Sequence, residues 1–150
     1  MEGPVYLDSS AIVKRYVKEP GSQAVRALYL KAYAGDVELA FSLWNVGEVL
    51  GALARAARLG RLSSTRYAVA RARFIAETKR LLRLRAAVAV PVRSRVLRES
   101  WRLVESRGLY EADALQLASA KYVGARRLVT GDRLLHDVAV EEGLEGVYVG

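Results

Sequence analysis

The feature that most constrains this chain is an alternation of short apolar runs with longer stretches of helical period. Val5–Leu7, Glu38–Phe41, Ala87–Val92, Arg127–Thr130 and Gly146–Val149 read as strands. Between them the period lengthens. Ala11–Tyr16 reads as a short helix. Ser22 is placed to cap a helix to about Tyr33, with Ala24, Ala27, Leu28 and Leu30 supplying much of its apolar surface. Ser42 to Asn45 leads into a helix ending near Gly60, with Val46, Val49, Leu50, Leu53 and Ala57 on one face. Ser63-Ser64 caps a helix to about Arg85, and Ser94 one to about Arg107, stopped by Gly108. Tyr110–Val123 forms another, ended by Gly124, and Gly131-Asp132 turns into a last helix ending at Gly143. Strands alternating with helices imply right-handed crossovers and a parallel sheet covered on both faces.

With 150 residues, no internal repeat and no linker, residues 1–150 are expected to form one domain. A hydrophobic content of 52% argues against disorder. The absence of cysteine rules out disulfides and thiolate sites. No apolar run approaches the roughly 18 residues of a membrane span, and no secretory leader is evident. A cytoplasmic location is the expectation. The net charge of +8 fits either a nucleic-acid or acidic partner, or an Arg-rich solvated surface.

In open parallel sheets ligands bind outside the carboxyl ends of the strands, so the carboxylates that fall there matter most. Asp8 follows the first strand, in Val5-Tyr6-Leu7-Asp8-Ser9-Ser10. Glu48 lies in the first turns of the helix after the second strand, beside Val46, Val49 and Leu50. Asp113 lies in the first turn of the helix at Tyr110, and Asp132 follows the fourth strand. Asp8 and Asp132 also read as helix N-caps, and Asp113 as a first-turn acid favoured by the helix dipole. Glu48, near a buried face, needs a partner. Four converging carboxylates call for a cation. Oxygen ligands in a chain with one histidine and no cysteine suit Mg²⁺ or Mn²⁺ rather than zinc.

Four segments carry a resemblance. They are Tyr6 through Lys14, Ser42 through Glu48, Ala112-Asp113-Ala114-Leu115-Gln116-Leu117-Ala118, and Val129-Thr130-Gly131-Asp132. In this order they resemble PIN-domain proteins of the VapC toxin type. The resemblance implies an α/β/α sandwich with a central parallel sheet and Mg²⁺-dependent endoribonuclease activity. It also implies a homodimer inhibited by a VapB-type antitoxin. It would make Asp8 and Asp113 the principal metal ligands, with Glu48 completing the set and Asp132 the fourth acid. Ser9 and Thr130 match small hydroxyl positions that order a ligand or water.

Away from the acids, Arg55 to Arg85 is strongly basic, with Glu77 as its only acid. The stretch reads as a solvated face, as an antitoxin-docking surface, or as an RNA-tracking surface, with Arg71, Arg73 and Arg80 as the phosphate-binding candidates. His136 reads as a surface or packing residue, and Trp44 and Trp101 as core or interface residues. An aspartyl phosphotransferase would want a second Asp at position 10, where this chain has Ser10. The remaining alternatives are another PIN nuclease, in RNA processing or on structured nucleic acid, and a non-catalytic nucleic-acid-binding module.

Overall fold

Strand β1 (Val5–Leu7) lies at the centre of the sheet and alternates its side chains between two cores. Val5 and Leu7 point into one core and Tyr6 into the other. The computed structural model describes residues 3–150. The other strands are β2 (Leu39–Ser42), β3 (Ala87–Val90), β4 (Arg127–Thr130) and β5 (Glu145–Tyr148), in the order β3-β2-β1-β4-β5. Every pairing is parallel.

Helices α1 (Ser9–Tyr16), α2 (Ser22–Tyr33), α3 (Leu43–Arg58) and α4 (Ser64–Arg83) cover the face holding Val5, Leu7, Leu39 and Phe41. Helices α5 (Ser94–Arg107), α6 (Glu111–Tyr122) and α7 (Arg133–Glu141) cover the face holding Tyr6, Ala40 and Leu128. This is the three-layer α/β/α sandwich expected. The chain winds one way through β1, β2 and β3, then returns to the other side of β1 for β4. The strand order therefore reverses between β1 and β4, which makes their carboxyl ends the topological switch point.

The sheet-side core is tied together by one internal carboxylate. Glu77 of α4 accepts two hydrogen bonds from Arg15, at Nε and Nη2, both 2.9 Å. It also accepts from the hydroxyls of Tyr16 and Tyr33, each at 2.9 Å. The lone acid of the basic stretch thus clamps α1, α2 and α4, and faces inward. No helix among the described residues is long and apolar enough to cross a membrane.

Several local expectations are corrected. The buried residues of α2 are Val25, Tyr29 and Ala32, whereas Ala24, Ala27 and Leu30 face solvent. Alanine and leucine spread around the helix do not define an arc, and the arc is set by Tyr29 packing edge-on against Tyr16. Ser22 is the first helical residue of α2, not its cap. Its hydroxyl accepts from the Glu19 N–H and donates to the Val17 carbonyl. The N-cap is Gly21, at φ 91°, where a Cβ would stand 1.9 Å from the Val149 carbonyl oxygen. Ser94 is likewise helical, behind Arg93. β2 and β5 are each displaced by one residue from the sequence reading, and β3 stops at Val90 because Pro91 has no N–H for the ladder. Trp44 and Trp101 are 49% and 54% exposed, so neither belongs to the core.

Candidate active site

Asp8 occupies the first residue beyond β1, with extended backbone, and caps α1. Its Oδ1 accepts from the Ala11 N–H at 2.9 Å and from the Ser10 hydroxyl at 2.7 Å. Its Oδ2 accepts from the Thr130 hydroxyl at 2.5 Å. The capping role is therefore real and uses one oxygen; the other is turned toward β4. The side chain is buried, and burial pushes its carboxyl above the usual range despite these three donors, with Asp132 adding to the shift.

Asp132 follows β4 and caps α7 through Oδ1, which accepts from the Leu135 N–H at 3.1 Å. Its own N–H donates to Thr130 Oγ1 at 2.9 Å, while the Gly131 N–H donates to Ser10 Oγ at 2.8 Å. Ser10 and Thr130 thus each accept from the β4–α7 turn and donate to Asp8. Two hydroxyls stitch the switch point closed. Space beside Gly131 is tight: a Cβ there would meet Lys14 Cε at 3.1 Å, so the lysine side chain would have to shift by a few tenths of an ångström.

Glu48 lies near the start of α3 and is half-buried, less enclosed than its apolar neighbours suggest. Its Oε1 accepts from the Ser9 hydroxyl at 2.7 Å and from Gln116 Nε2 at 3.3 Å. Asp113, half-buried in the first turn of α6, has no hydrogen-bond donor among the described residues. Burial, followed by the charges of Asp132, Asp8 and Glu48, pushes its carboxyl up to about 6. The charges acting on Asp113 are all carboxylates, which places the four acids within electrostatic reach of one another.

The serines divide their work: Ser9 serves Glu48 and Ser10 serves Asp8. The sequence pattern points to Ser9 and Thr130 as the supporting hydroxyls, and gives no such role to Ser10 or Gln116. Gln116 carries one available signal, a carboxamide three residues after Asp113, on the same side of the helix. Arg71, Arg73 and Arg80 are exposed on α4 and do not join the acids. The Arg73 guanidinium lies 5.7 Å from the Tyr16 ring centroid. Arg80 lies one turn before the end of α4, which feeds the amino end of β3, so it faces the edge opposite the acids. His136 packs on β5, where a Cβ on Gly146 would stand 2.5 Å from its Cδ2.

The donor set suits a hard divalent cation. It consists of carboxylates, with hydroxyls, backbone N–H groups and an amide as their hydrogen-bond donors, and no Arg, Lys or His pairs with the four acids among the described residues. No three acidic, His or Cys side chains among the described residues form a ready-made metal cage. Mg²⁺ does not demand one, because it keeps several waters and is held by one or two carboxylates plus substrate phosphate.

The family model of the PIN domain matches residues 5–141. No curated protein is matched by sequence. Among solved structures, PAE2754 from Pyrobaculum aerophilum is similar at 26% identity and TM-score 0.60, over 97% of this chain and 84% of that one. The Mycobacterium tuberculosis toxin VapC20, described as cleaving the sarcin-ricin loop, is similar at 16% identity and TM-score 0.62, over 89% of this chain and 94% of that one. FitAcB from Neisseria gonorrhoeae is similar at 17% identity and TM-score 0.66, over 95% of this chain and 96% of that one.

Proposed function

The chain belongs to the PIN domain family, and from that premise we propose that it is a Mg²⁺-dependent endoribonuclease, the toxin of a type II toxin–antitoxin pair. The observation that carries this reading is the gathering of Asp8, Glu48, Asp113 and Asp132 at the switch point with no cation paired to them. PIN domains are typically nucleases that use divalent metal ions, and the fold is shared with a toxin described as cutting the sarcin-ricin loop.

In this reading Asp8 and Asp113 are the principal ligands, Glu48 completes the set, and Asp132 is the fourth acid; Mn²⁺ substitutes for Mg²⁺. The bound cation supplies charge neutralisation of the phosphoryl oxygen and a water of lowered pKa. The chain's own residues do the rest. Ser10 and Thr130 hold Asp8 in one orientation, so that its charge is fixed before substrate arrives. Ser9 does the same for Glu48. Asp113 keeps both oxygens clear of protein donors. The surplus of positive charge draws the RNA backbone in. A VapB-type antitoxin, an RNA substrate, a second copy of the chain as a homodimer and a cytoplasmic setting complete the proposal.

The test is cleavage of total RNA by purified protein in Mn²⁺, with Asp8→Asn alongside. Loss of a hydrogen-bond partner of a metal ligand typically costs 10–100-fold, so loss of a ligand should cost at least about a hundredfold. Cleavage that survives EDTA, or equal cleavage by Asp8→Asn, overturns the assignment. RNA binding with no cleavage at any metal concentration favours the non-catalytic binding module.

A further inference from the structure

Beneath the carboxylates lies a set of polar side chains that the proposed reaction does not use. Tyr6, Asn45, Gln116 and Ser119 are buried, the most exposed being Gln116 at 3%. Polar groups in such a position are costly unless hydrogen-bonded, and an apolar residue of similar size would fill each place. Two of them, Tyr6 and Gln116, are accounted for by a hydrogen-bonded chain that ends on Glu48. The Tyr6 hydroxyl donates to Gln116 Oε1 at 2.8 Å, and Gln116 Nε2 donates to Glu48 Oε1 at 3.3 Å.

The direction of this chain is fixed by chemistry. An ionised Glu48 only accepts, so the amide must turn its NH₂ toward it and its oxygen inward. The inward oxygen then needs a donor. Tyr6 provides one, because its phenol O–H points at that oxygen. Asn45 Oδ1 and Ser119 Oγ, buried nearby, have no hydrogen-bond partner among the described residues. Asn45 anchors the helix: its Nδ2 donates to the Leu7 carbonyl at 3.0 Å, one residue before Asp8. Each of the two helices therefore carries an acid and an amide three residues apart, Asn45 with Glu48 on α3 and Asp113 with Gln116 on α6. Residues so spaced share a helix side.

We propose that Gln116, its amide oriented by the Tyr6 hydroxyl, is a positioning residue that fixes Glu48 at the carboxylate edge. Ser9 holds Glu48 Oε1 from the start of α1. Gln116 ties it to the helix that carries Asp113. The inference rests on the metal-dependent nuclease reading for its consequence, but the placement of Glu48 is testable without it.

The experiment compares wild type with Gln116→Met, Gln116→His and Tyr6→Phe. Methionine keeps the length and removes the donor. Histidine restores a ring N–H facing Glu48. Phenylalanine leaves the Gln116 oxygen without its partner, so the amide is free to turn over. Metal-free crystal structures of wild type and Gln116→Met give the Glu48 position, Mn²⁺ titration followed by electron paramagnetic resonance gives the metal Kd, and metal-free melting reports folding. Expected are a displaced Glu48 and a Kd raised about tenfold in Gln116→Met, a smaller rise in Tyr6→Phe, and recovery in Gln116→His, all with melting points near wild type. An unmoved Glu48 with an unchanged Mn²⁺ Kd in Gln116→Met overturns the proposal. If wild type binds Mn²⁺ but cuts no RNA, the nuclease reading falls while the titration still judges Gln116. If wild type binds no Mn²⁺, the Glu48 position alone decides: displacement supports the positioning role and an unmoved side chain overturns it.

Discussion

Asp113 and Glu142 both lie at helix ends, and the fold treats them in opposite ways. Glu142, at the C-terminus of α7, accepts from Arg102 Nη2 at 2.7 Å, Arg107 Nη2 at 2.6 Å and Lys121 Nζ at 2.9 Å. Burial raises its carboxyl, but Lys121, Arg107 and Arg102 outweigh that and hold it down at about 2. Asp113 meets only other carboxylates and stands at about 6. Glu77 behaves like Glu142: burial opposes it, and Arg15 with the Tyr33 and Tyr16 hydroxyls brings its carboxyl below the usual range. A chain with 24 Lys and Arg residues has cations enough for every acid. It sets some of them on Glu77 and Glu142, whereas the acids of the switch point take such hydrogen bonds as they have from hydroxyls, backbone N–H groups and one amide. That difference in partner separates carboxylates that hold the fold from the carboxylates that the proposed function assigns to a metal ion.

The contrast breaks most sharply by deletion. Glu77→Ala removes the partner of Arg15, whose side chain is only 13% exposed, and strands the hydroxyls of Tyr16 and Tyr33. Losing one half of a largely buried pair should cost about 3 kcal/mol, read from the midpoint of urea unfolding. A change under a few tenths would mean that Glu77 is not structural. Adding the cation tests the other side. Mn²⁺ at a hundredfold excess over Kd should stabilise wild type by about 2.7 kcal/mol and leave Asp8→Asn unmoved. Equal shifts in both proteins would place the ion elsewhere.

Acid titration sharpens the comparison, because Asp113 and Glu142 have opposite slopes. Asp113 moves from the ordinary 3.8 up to about 6 in the folded chain. The folded state therefore binds more protons in that window, and metal-free stability falls as pH rises through it. Asp113→Asn should lack this slope and be more stable than wild type at pH 7, by about 1–2 kcal/mol after allowance for its partial exposure. Glu142 moves from 4.5 down to about 2, so the unfolded state binds more protons there. Its contribution is present above pH 4.5 and lost as pH falls toward 2; Glu142→Gln should remove that acid-side loss. Parallel slopes for the two residues would contradict the division drawn here.

The smallest effect concerns the basic helix. If Arg71, Arg73 and Arg80 contact phosphates, changing all three to Gln should flatten the log–log salt dependence of RNA binding by about 2, at roughly 0.7 per contact for single strands. Measured in Ca²⁺ with Asp113→Asn to suppress turnover, an unchanged slope would assign α4 to solvent or to the antitoxin.

The sequence by itself determined what is decided within one or two turns of chain. The strands and helices follow from apolar period, the caps Asp8, Ser63 and Asp132 from their side-chain oxygens, and the acids at strand ends from their place next to those strands. Tertiary structure decided everything that depends on distant partners. Ser9 meets Glu48 across 39 residues, Gln116 meets Glu48 across 68, Tyr6 meets Gln116 across 110, and Thr130 meets Asp8 across 122. The same holds for the inward turn of Glu77, the arc that α2 buries, and the exposure of Trp44. Sequence period reports that a helix has an apolar side, but not which neighbour will face it. Only the strand order β3-β2-β1-β4-β5 brings β4 beside β1 and carries α6 over Tyr6, and a hydrogen bond that acts over about 3 Å forms only after that has happened.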